Sequence, residues 1–250
     1  MSNSKRWDRQ IFNHYAPAVA YVEIESPNGD RGIGTAFHVG EGIYVTARHV
    51  VEGQTIVGIN HVVEFPIQAS PGVAKPLDEV GDDPNRRQLP RTGPFFHPDP
   101  RIDVACFTLL WYPPTEIEIG FHCKDLPYGN YDFLLDKCLL MGFPPTPFSK
   151  EPILVATIGE VNACVKRYDH DFDHYIVSSM ARGGFSGAPA LVHFNEHLDV
   201  HAGTMALGLI TESLSKNGEP AELGYMTVLT AEPIHECIEA NKNKLFGKAA

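Results

Sequence analysis

A run of small residues around one serine constrains this chain more than any other feature. Residues 183–189 are Gly-Gly-Phe-Ser-Gly-Ala-Pro, and they stand directly before the apolar segment 190–192. Glycines let the backbone adopt conformations that other residues resist, and they allow two backbone N–H groups to converge on one point, as an oxyanion pocket requires. A serine hydroxyl is a weak nucleophile until a base takes its proton. Ser186 is therefore a candidate nucleophile if the chain also supplies a histidine and a carboxylate.

The candidate base is His49. It follows residues 42–47, an alternating β-branched run that predicts a strand ending in a tight turn. Residues 32–39 predict a second strand, and Gly-Glu-Gly at 40–42 supplies the turn chemistry of a hairpin between the two. A base at the end of a strand is held by the sheet, which catalysis requires.

The candidate carboxylate is Asp103, which opens the almost continuous apolar run 104–110. Such a run is the pattern of a buried strand. A carboxylate at its mouth is partly desolvated and needs a partner, and an imidazole is a suitable one because the carboxylate fixes its tautomer and stabilises the imidazolium. Asp99 is the nearby alternative, but Pro98 and Pro100 flank it and indicate a loop. We therefore favour Asp103.

The order His49, Asp103, Ser186, each in its own β-rich segment, resembles the chymotrypsin/trypsin superfamily of serine peptidases. The closest pattern is that of bacterial trypsin-like and high-temperature-requirement-type proteases. The resemblance runs from about Ala18 to about Val228. Its motifs are Gly-x-Gly-Thr-x-Phe at 32–37, Val-Thr-Ala-x-His at 45–49, Asp-Val-Ala at 103–105, Met-Gly-Phe-Pro at 141–144, Gly-x-Ser-Gly-x-Pro at 184–189 and Ala-Leu-Gly-Leu-Ile at 206–210.

The resemblance implies an all-β fold of two six-stranded antiparallel β-barrels with a C-terminal helix. The expected units are an N-terminal arm or short helix at 1–16, a first barrel at 17–112, a linker at 113–134, a second barrel at 135–230 and the helix at 231–250. Within the first barrel, residues 75–100 are rich in proline, arginine and aspartate and indicate a long exposed loop. The active site is expected in the cleft, with His49 and Asp103 on one barrel and Ser186 on the other.

The implied activity is that of a serine endopeptidase that needs no cofactor. Ser186 would attack the peptide carbonyl, His49 would take and return the proton, and Asp103 would orient His49. By the same resemblance, the backbone N–H groups of Gly184 and Ser186 would form the oxyanion hole.

The resemblance also places a primary specificity pocket, with Met180 near its base. The residues on its walls would be Thr211, Ser213 and Gly224. Because no acid occupies the base, we expect a medium-sized apolar P1 side chain. Glu212 beside the pocket leaves a basic P1 residue open.

Two positions depart from the superfamily's pattern. Phe185 stands where secreted trypsins carry an aspartate that pairs with a newly cut N-terminus, so activation by that kind of cleavage is not expected. Arg48 replaces a small residue beside the base. A guanidinium turned towards the cleft would depress the pKa of His49 or contact the substrate, whereas one turned outward would do neither.

Two histidine-rich segments favour no standard metal site. His170, Asp171, Asp173 and His174 form a cluster whose spacing fits none, so it indicates a solvated hairpin tip, with a metal-binding role as the alternative. His193, His197 and His201 indicate a surface turn. A second functional alternative is a non-catalytic binding module that retains the protease fold.

Composition narrows the remaining possibilities. The chain has 250 residues, 43% of them hydrophobic, which is enough for a sizeable core. A formal charge of −11 argues against binding to nucleic acid or to an anionic membrane. The N-terminus lacks the apolar core of a secretory signal, and five cysteines are an odd number without metal-ligand spacing. We therefore expect a cytoplasmic protein without disulfides. Its partners would be a protein or peptide substrate and a possible regulatory protein.

Overall fold

The computed structural model describes residues 7–63, 68–69, 87–166, 171–179, 183–194, 202–213 and 224–247. Its helices are α1 (Trp7–Tyr15), α2 (Arg48–Val51) and α3 (Glu232–Leu245), with short 3₁₀ turns at Ala16–Ala18, Cys123–Asp125 and Gly129–Phe133. Its first eight strands are β1 (Val19–Glu25), β2 (Arg31–His38), β3 (Ile43–Thr46), β4 (Thr55–Asn60), β5 (Gln68–Ala69), β6 (Thr92–Phe96), β7 (Ala105–Thr108) and β8 (Trp111–Tyr112). The others are β9 (Lys137–Gly142), β10 (Val155–Lys166), β11 (Asp173–Ser178), β12 (Pro189–His193), β13 (Thr204–Ser213) and β14 (Tyr225–Thr230).

The first half of the chain forms a six-stranded antiparallel sheet in the order β4-β1-β2-β3-β7-β6. A bridge between Ile59 and Gln88, with N···O distances of 2.8 and 2.9 Å, ties β4 to the chain that leads into β6. The two edges of the curved sheet therefore approach each other. β5 and β8 form a separate two-stranded ribbon.

The second half forms a closed antiparallel barrel in the order β10-β11-β14-β13-β12-β9. The predicted all-β, two-barrel architecture with a C-terminal helix is confirmed. A closed barrel leaves no strand edge exposed. None of the helices in the described ranges is long and apolar enough to cross a bilayer.

Both longer helices pack where the two halves meet. Ile11 and Tyr15 of α1 are buried in a core cluster that also contains Leu139 and Leu191 of the second barrel. α3 buries Ile234, Cys237 and Leu245 in the same cluster, as the apolar face of an amphipathic helix does. The apolar faces of α1 and α3 are therefore covered by a core that both halves of the chain share.

The expectation of a long loop at 75–100 is wrong for β6, because Thr92–Phe96 is a strand. Pro94 interrupts its strand pattern, and proline is confined to edge strands and bulges. β6 pairs only with β7 among the named strands, and the register shifts between Thr92 and Phe95. The missing N–H of Pro94 therefore removes no ladder bond. Residues 75–86 of the predicted loop lie outside the described residues.

The described residues of the first histidine-rich segment include two that lie in a strand. His174 lies inside β11, which pairs with β10 and β14, and its side chain is 2% exposed. The Oδ2 atom of Asp173 accepts a hydrogen bond from Asn130 at 3.1 Å. The expected solvated hairpin tip is therefore wrong for His174, whereas Asp173 is half-buried at the end of the β10–β11 pairing.

His193 likewise ends strand β12, and its ring lies 3.3 Å from the hydroxyl of Thr204. His170, His197 and His201 fall outside the described residues. Among those described, no group of three or more potential metal ligands occurs.

The first barrel buries two neutral histidines among tyrosines. His38 donates from Nδ1 to the carbonyl of Thr115 at 2.8 Å and accepts the N–H of Gly42 on Nε2 at 3.1 Å. The hydroxyl of Tyr44 shares a 2.9 Å hydrogen bond with Nε2 of His61. Burial lowers the pKa of His38 to about 4 and the pKa of His61 to about 3.

We predict that the protein loses stability as the pH falls from about 6.5, the ordinary histidine pKa, towards 4. The unfolded chain binds protons at His38 and His61 in this range while the folded chain does not, so each site contributes a slope of up to about 1.4 kcal/mol per pH unit. Urea unfolding between pH 4.5 and 7.5 measures it. His61→Gln should flatten the slope, and an equally steep profile in that variant would contradict the assignment.

Candidate active site

His49 is held by Asp103 at two points, its backbone N–H and its imidazole ring. His49 lies in α2, the single helical turn that follows β3, where the sequence predicts a tight turn. Its backbone N–H donates to Oδ1 of Asp103 at 2.9 Å, and its ring Nδ1 lies 2.7 Å from Oδ2. A carboxylate only accepts hydrogen bonds, so Nδ1 carries the proton. Nε2 is then the proton acceptor, and the ring is about half exposed, at 49%.

Asp103 sits in a loop that is closed on itself between β6 and β7. The N–H of His97 bonds the carbonyl of Val104 at 3.1 Å, and the N–H of Ile102 bonds the carbonyl of Asp99 at 3.1 Å. The side chains of Ile102 and Val104 are fully buried. The carboxylate between these two anchors is therefore held at the loop's edge, with 27% of its side chain exposed.

The alternative acid, Asp99, has a different partner. Its carboxylate receives hydrogen bonds from Nε and Nη2 of Arg101 at 3.0 and 2.6 Å. These bonds hold the pKa of Asp99 well below its ordinary value. Asp103, not Asp99, is the carboxylate in contact with His49.

The serine loop is tied to the first barrel through Thr35 of β2. The hydroxyl of Thr35 donates to the carbonyl of Gly184 at 2.6 Å and accepts the N–H of Phe143 at 3.1 Å. The backbone N–H of Thr35 donates to the carbonyl of Ser186 at 2.9 Å. One residue of the first barrel thus bonds the backbone of the predicted nucleophile and that of Gly184, two residues before it.

Two glycines of this loop are required by close approach. Gly184 and Gly187 have φ angles of +87° and +84°, which L side chains rarely adopt. A Cβ atom at Gly184 would overlap the carbonyl of Phe143, and one at Gly187 would overlap the carbonyl of Thr35. It would also lie 2.9 Å from the backbone nitrogen of Ala47. Gly187, next to Ser186, thus lies against a residue two positions before His49.

The side chain of Phe185 anchors the same loop by packing into the core of the second barrel. Its ring is 2% exposed and belongs to the core of the second barrel. A Cβ at Gly142 would lie only 2.8 Å from this ring, so the ring fills the space above β9. An apolar anchor therefore occupies the position at which secreted trypsins use a charged one.

Arg48 faces Glu52 and an aromatic ring. Its Nη2 forms an ion pair with Oε1 of Glu52, and its guanidinium lies 4.8 Å from the centroid of Phe96. The side chain is 15% exposed. The hydrogen bond to Glu52 is the main cause that raises the pKa of Arg48, and the charge of Asp103 also contributes. The effect of Arg48 on His49 or on the substrate stays a prediction.

The predicted specificity pocket is only partly described. Thr211 is buried, and its hydroxyl lies 3.2 Å from that of Thr227. Gly224 has a φ of +73° and precedes β14. The side chain of Ser213 and all of Met180 lie outside the described part. The pocket residues remain predictions.

Sequence reasoning missed the residues that support the site. Thr35 and Phe143 lie within motifs that indicate the family, but a motif does not reveal which of its residues bonds the serine loop. The signal for Thr35 was its place directly after Gly34, in the middle of a buried strand. His97 carried no signal at all.

Comparison with known proteins agrees with this geometry. A sequence profile of the trypsin-like peptidase domain matches residues 34–196, which is more than half of the chain and includes His49, Asp103 and Ser186. No curated protein sequence matches the chain.

Solved structures share the fold at low sequence identity. The active form of the Rv3671c protease from M. tuberculosis is 16% identical, with a TM-score of 0.62 over 92% of this chain and 82% of that one. The HtrA-type protease AlgW, solved with a tripeptide, is 17% identical, with a TM-score of 0.61 over 95% of this chain and 63% of its own. A serine endoprotease from Yersinia pestis is 18% identical, with a TM-score of 0.56 over 96% and 67%.

A two-barrel fold, a histidine in contact with a carboxylate, and a glycine-rich serine loop are the features of chymotrypsin-like peptidases. The chain belongs to the trypsin-like peptidase domain family, and it is accordingly a serine endopeptidase. The chain covers 63% of the length of the HtrA-type protease AlgW, so it matches only part of that longer protein.

We predict that Thr35→Val lowers the free energy of unfolding by about 2–4 kcal/mol, since the carbonyl of Gly184 and the N–H of Phe143 each lose a buried partner. Turnover should fall as well, because the serine loop loses its tie to β2. Thr35→Ser is the matched control: it keeps the hydroxyl and loses one methyl group, worth about 1 kcal/mol. Chemical unfolding and peptide hydrolysis test both variants. Equal stability of Thr35→Val and Thr35→Ser would show that the hydroxyl is not the tie.

Proposed function

We propose that the chain hydrolyses peptide bonds through an acyl-enzyme formed on Ser186, with His49 as general base and Asp103 as its orienting carboxylate. The observation that carries this proposal is the two-point contact between His49 and Asp103, with distances of 2.9 and 2.7 Å. The packing of Gly187 against Ala47 supports it, because it brings the serine loop to the turn that carries the base.

The proposed reaction proceeds in two halves. Nε2 of His49 takes the proton of the Ser186 hydroxyl as its oxygen bonds to the peptide carbonyl, and the resulting imidazolium is stabilised by Asp103. The same proton passes to the leaving amine, and the peptide C–N bond breaks. Water, deprotonated by His49, then releases the acyl group and restores the serine.

The proposed oxyanion hole consists of the backbone N–H groups of Gly184 and Ser186. The left-handed conformation of Gly184 supports this role, since it turns the peptide plane in a way that a residue with a side chain resists. Losing one such donor typically costs about 100- to 1000-fold in rate. The anchoring of Phe185 and the Thr35 bonds keep this backbone in place before substrate binds.

The substrate is a peptide or protein, and we propose a medium-sized apolar P1 side chain bound near Met180, Thr211, Ser213 and Gly224. We also propose a reduced, cytoplasmic setting. Sγ of Cys106 and Sγ of Cys237 lie 3.7 Å apart as thiols, in contact without a bond. A regulatory protein partner remains part of the proposal.

Ser186→Ala should abolish peptide turnover and fluorophosphonate labelling while leaving folding intact, because the loop is held by backbone bonds that do not use the hydroxyl. Asp103→Asn should retain the fold and lower kcat by about 10⁴-fold, since the amide favours the wrong tautomer of the base. Peptide-library cleavage, labelling and circular dichroism measure these effects. Turnover in Ser186→Ala would overturn the proposal, and a wild-type chain that neither labels nor cleaves would favour a non-catalytic binding module.

The intact protein, residues 1–250, should react at Ser186 without N-terminal cleavage. Buried Phe185 cannot form the ion pair through which a cut N-terminus activates secreted trypsins. Active-site titration of the intact protein, with its mass checked before and after labelling, measures this. Labelling that appears only after loss of an N-terminal segment would contradict the prediction.

A further inference from the structure

The C-terminal helix α3 contacts the segment that carries Asp103 at several points. Nδ2 of Asn241 donates to the carbonyl of Phe96 at 3.0 Å. Sγ of Cys237 lies 4.0 Å from the carbonyl oxygens of Phe95 and Val104. These contacts join α3 to the end of β6 and to the residue that follows Asp103.

His97 forms a polar contact between the loop that carries Asp103 and helix α3. Its side chain is 5% exposed, and its Nδ1 accepts the N–H of Asp99 at 3.1 Å. A neutral imidazole that accepts on one nitrogen carries its proton on the other. Nε2 of His97 therefore donates to Oε2 of Glu236 on α3, at 3.2 Å.

His97 is placed where a small change would reach the catalytic carboxylate. Its own N–H closes the loop onto Val104, and its ring holds the backbone of Asp99, whose carbonyl accepts the N–H of Ile102. Asp103 lies between Ile102 and Val104. The hydrogen bonds of one histidine thus reach the loop on both sides of Asp103.

We propose that the His97–Glu236 pair is a positioning device through which helix α3 sets the orientation of Asp103 towards His49. This inference rests on the proposed function of Asp103. Neither His97 nor Glu236 touches the reacting atoms. They act through the loop, whose carboxylate must meet both the backbone N–H and the ring of His49.

The pair should matter more for rate than for stability. Glu236 is 49% exposed, and ion pairs of that exposure contribute little to folding. Catalysis is more sensitive, because a displacement of about 1 Å at a catalytic group can cost about 100-fold in rate. A positioning role therefore predicts a loss in kcat without a matching loss in KM or in stability.

The chain offers a matched control on the same helix. Glu239 pairs with Lys242 at 3.3 Å, and both side chains are mostly exposed, at 74% and 60%. Glu239→Ala removes one carboxylate from α3, as Glu236→Ala does, but the partner of Glu239 is Lys242 on the same helix and not a residue of the Asp103 loop. Glu236→Gln keeps a side-chain oxygen that can accept the hydrogen bond from Nε2 of His97.

Glu236→Ala should lower kcat about 3- to 10-fold, which is within the net worth of one ordinary intramolecular hydrogen bond, with KM within about twofold of the wild type. Glu236→Gln should restore most of kcat, and Glu239→Ala should match the wild type. Steady-state kinetics on the best library peptide and the rate of fluorophosphonate labelling measure these effects. Equal kcat in the Glu236→Ala and Glu239→Ala variants, or a change in KM alone, would overturn the inference.

His97→Asn provides an independent arm. The shorter amide still offers an acceptor to the N–H of Asp99 but does not reach Glu236. In a double-mutant cycle, His97→Asn and Glu236→Ala should therefore be non-additive in kcat, whereas additive losses would contradict a shared role. If Ser186 labels normally in the wild type while Glu236→Ala and Glu239→Ala have the same kcat, the positioning role fails and the proposed function stands. If Ser186→Ala retains turnover, the proposed function itself fails.

Discussion

One hydroxyl group holds the candidate site together. Thr35 belongs to the first barrel, yet its side chain bonds the carbonyl of Gly184 and the N–H of Phe143 in the second. A buried hydroxyl that satisfies two backbone groups is costly to remove, because each would be left without a partner. The cleft between the barrels therefore has a fixed width at the serine loop. The same strand reaches His49 through its pairing with β3, so nucleophile and base share one reference point.

The base is positioned by a second interaction of the same kind. Asp103 bonds both the backbone and the ring of His49, so the carboxylate fixes the position of the turn as well as the tautomer of the imidazole. Its loop is closed by backbone bonds and anchored by two buried side chains. Rigid elements of this type keep catalytic groups within the narrow tolerance that acyl transfer needs. The apolar anchor Phe185 serves the serine loop in a comparable way.

Much of the candidate site could be predicted because its signals are local. Each of three local patterns, within about ten residues, predicts its own structure: the small residues around Ser186, the strand before His49 and the apolar run after Asp103. The choice of Asp103 over Asp99 came from flanking prolines, and the ion pair of Asp99 with Arg101 agrees with it. Contacts between distant segments carried no such signal. His97 and Glu236 are 139 positions apart, and nothing in either neighbourhood points to the other.

The sequence by itself determined the class of fold, since strand periodicity, turn glycines and motif order all express local preferences of the backbone. It also determined that Gly184 and Gly187 must be glycines, although the reason lies in the atoms that approach them. Only the tertiary structure decided that a segment containing Pro94 becomes an edge strand and that His174 is buried. Edge position, burial and hydrogen-bond partners depend on which strands become neighbours. That choice is made by the packing of the whole barrel and not by any one segment.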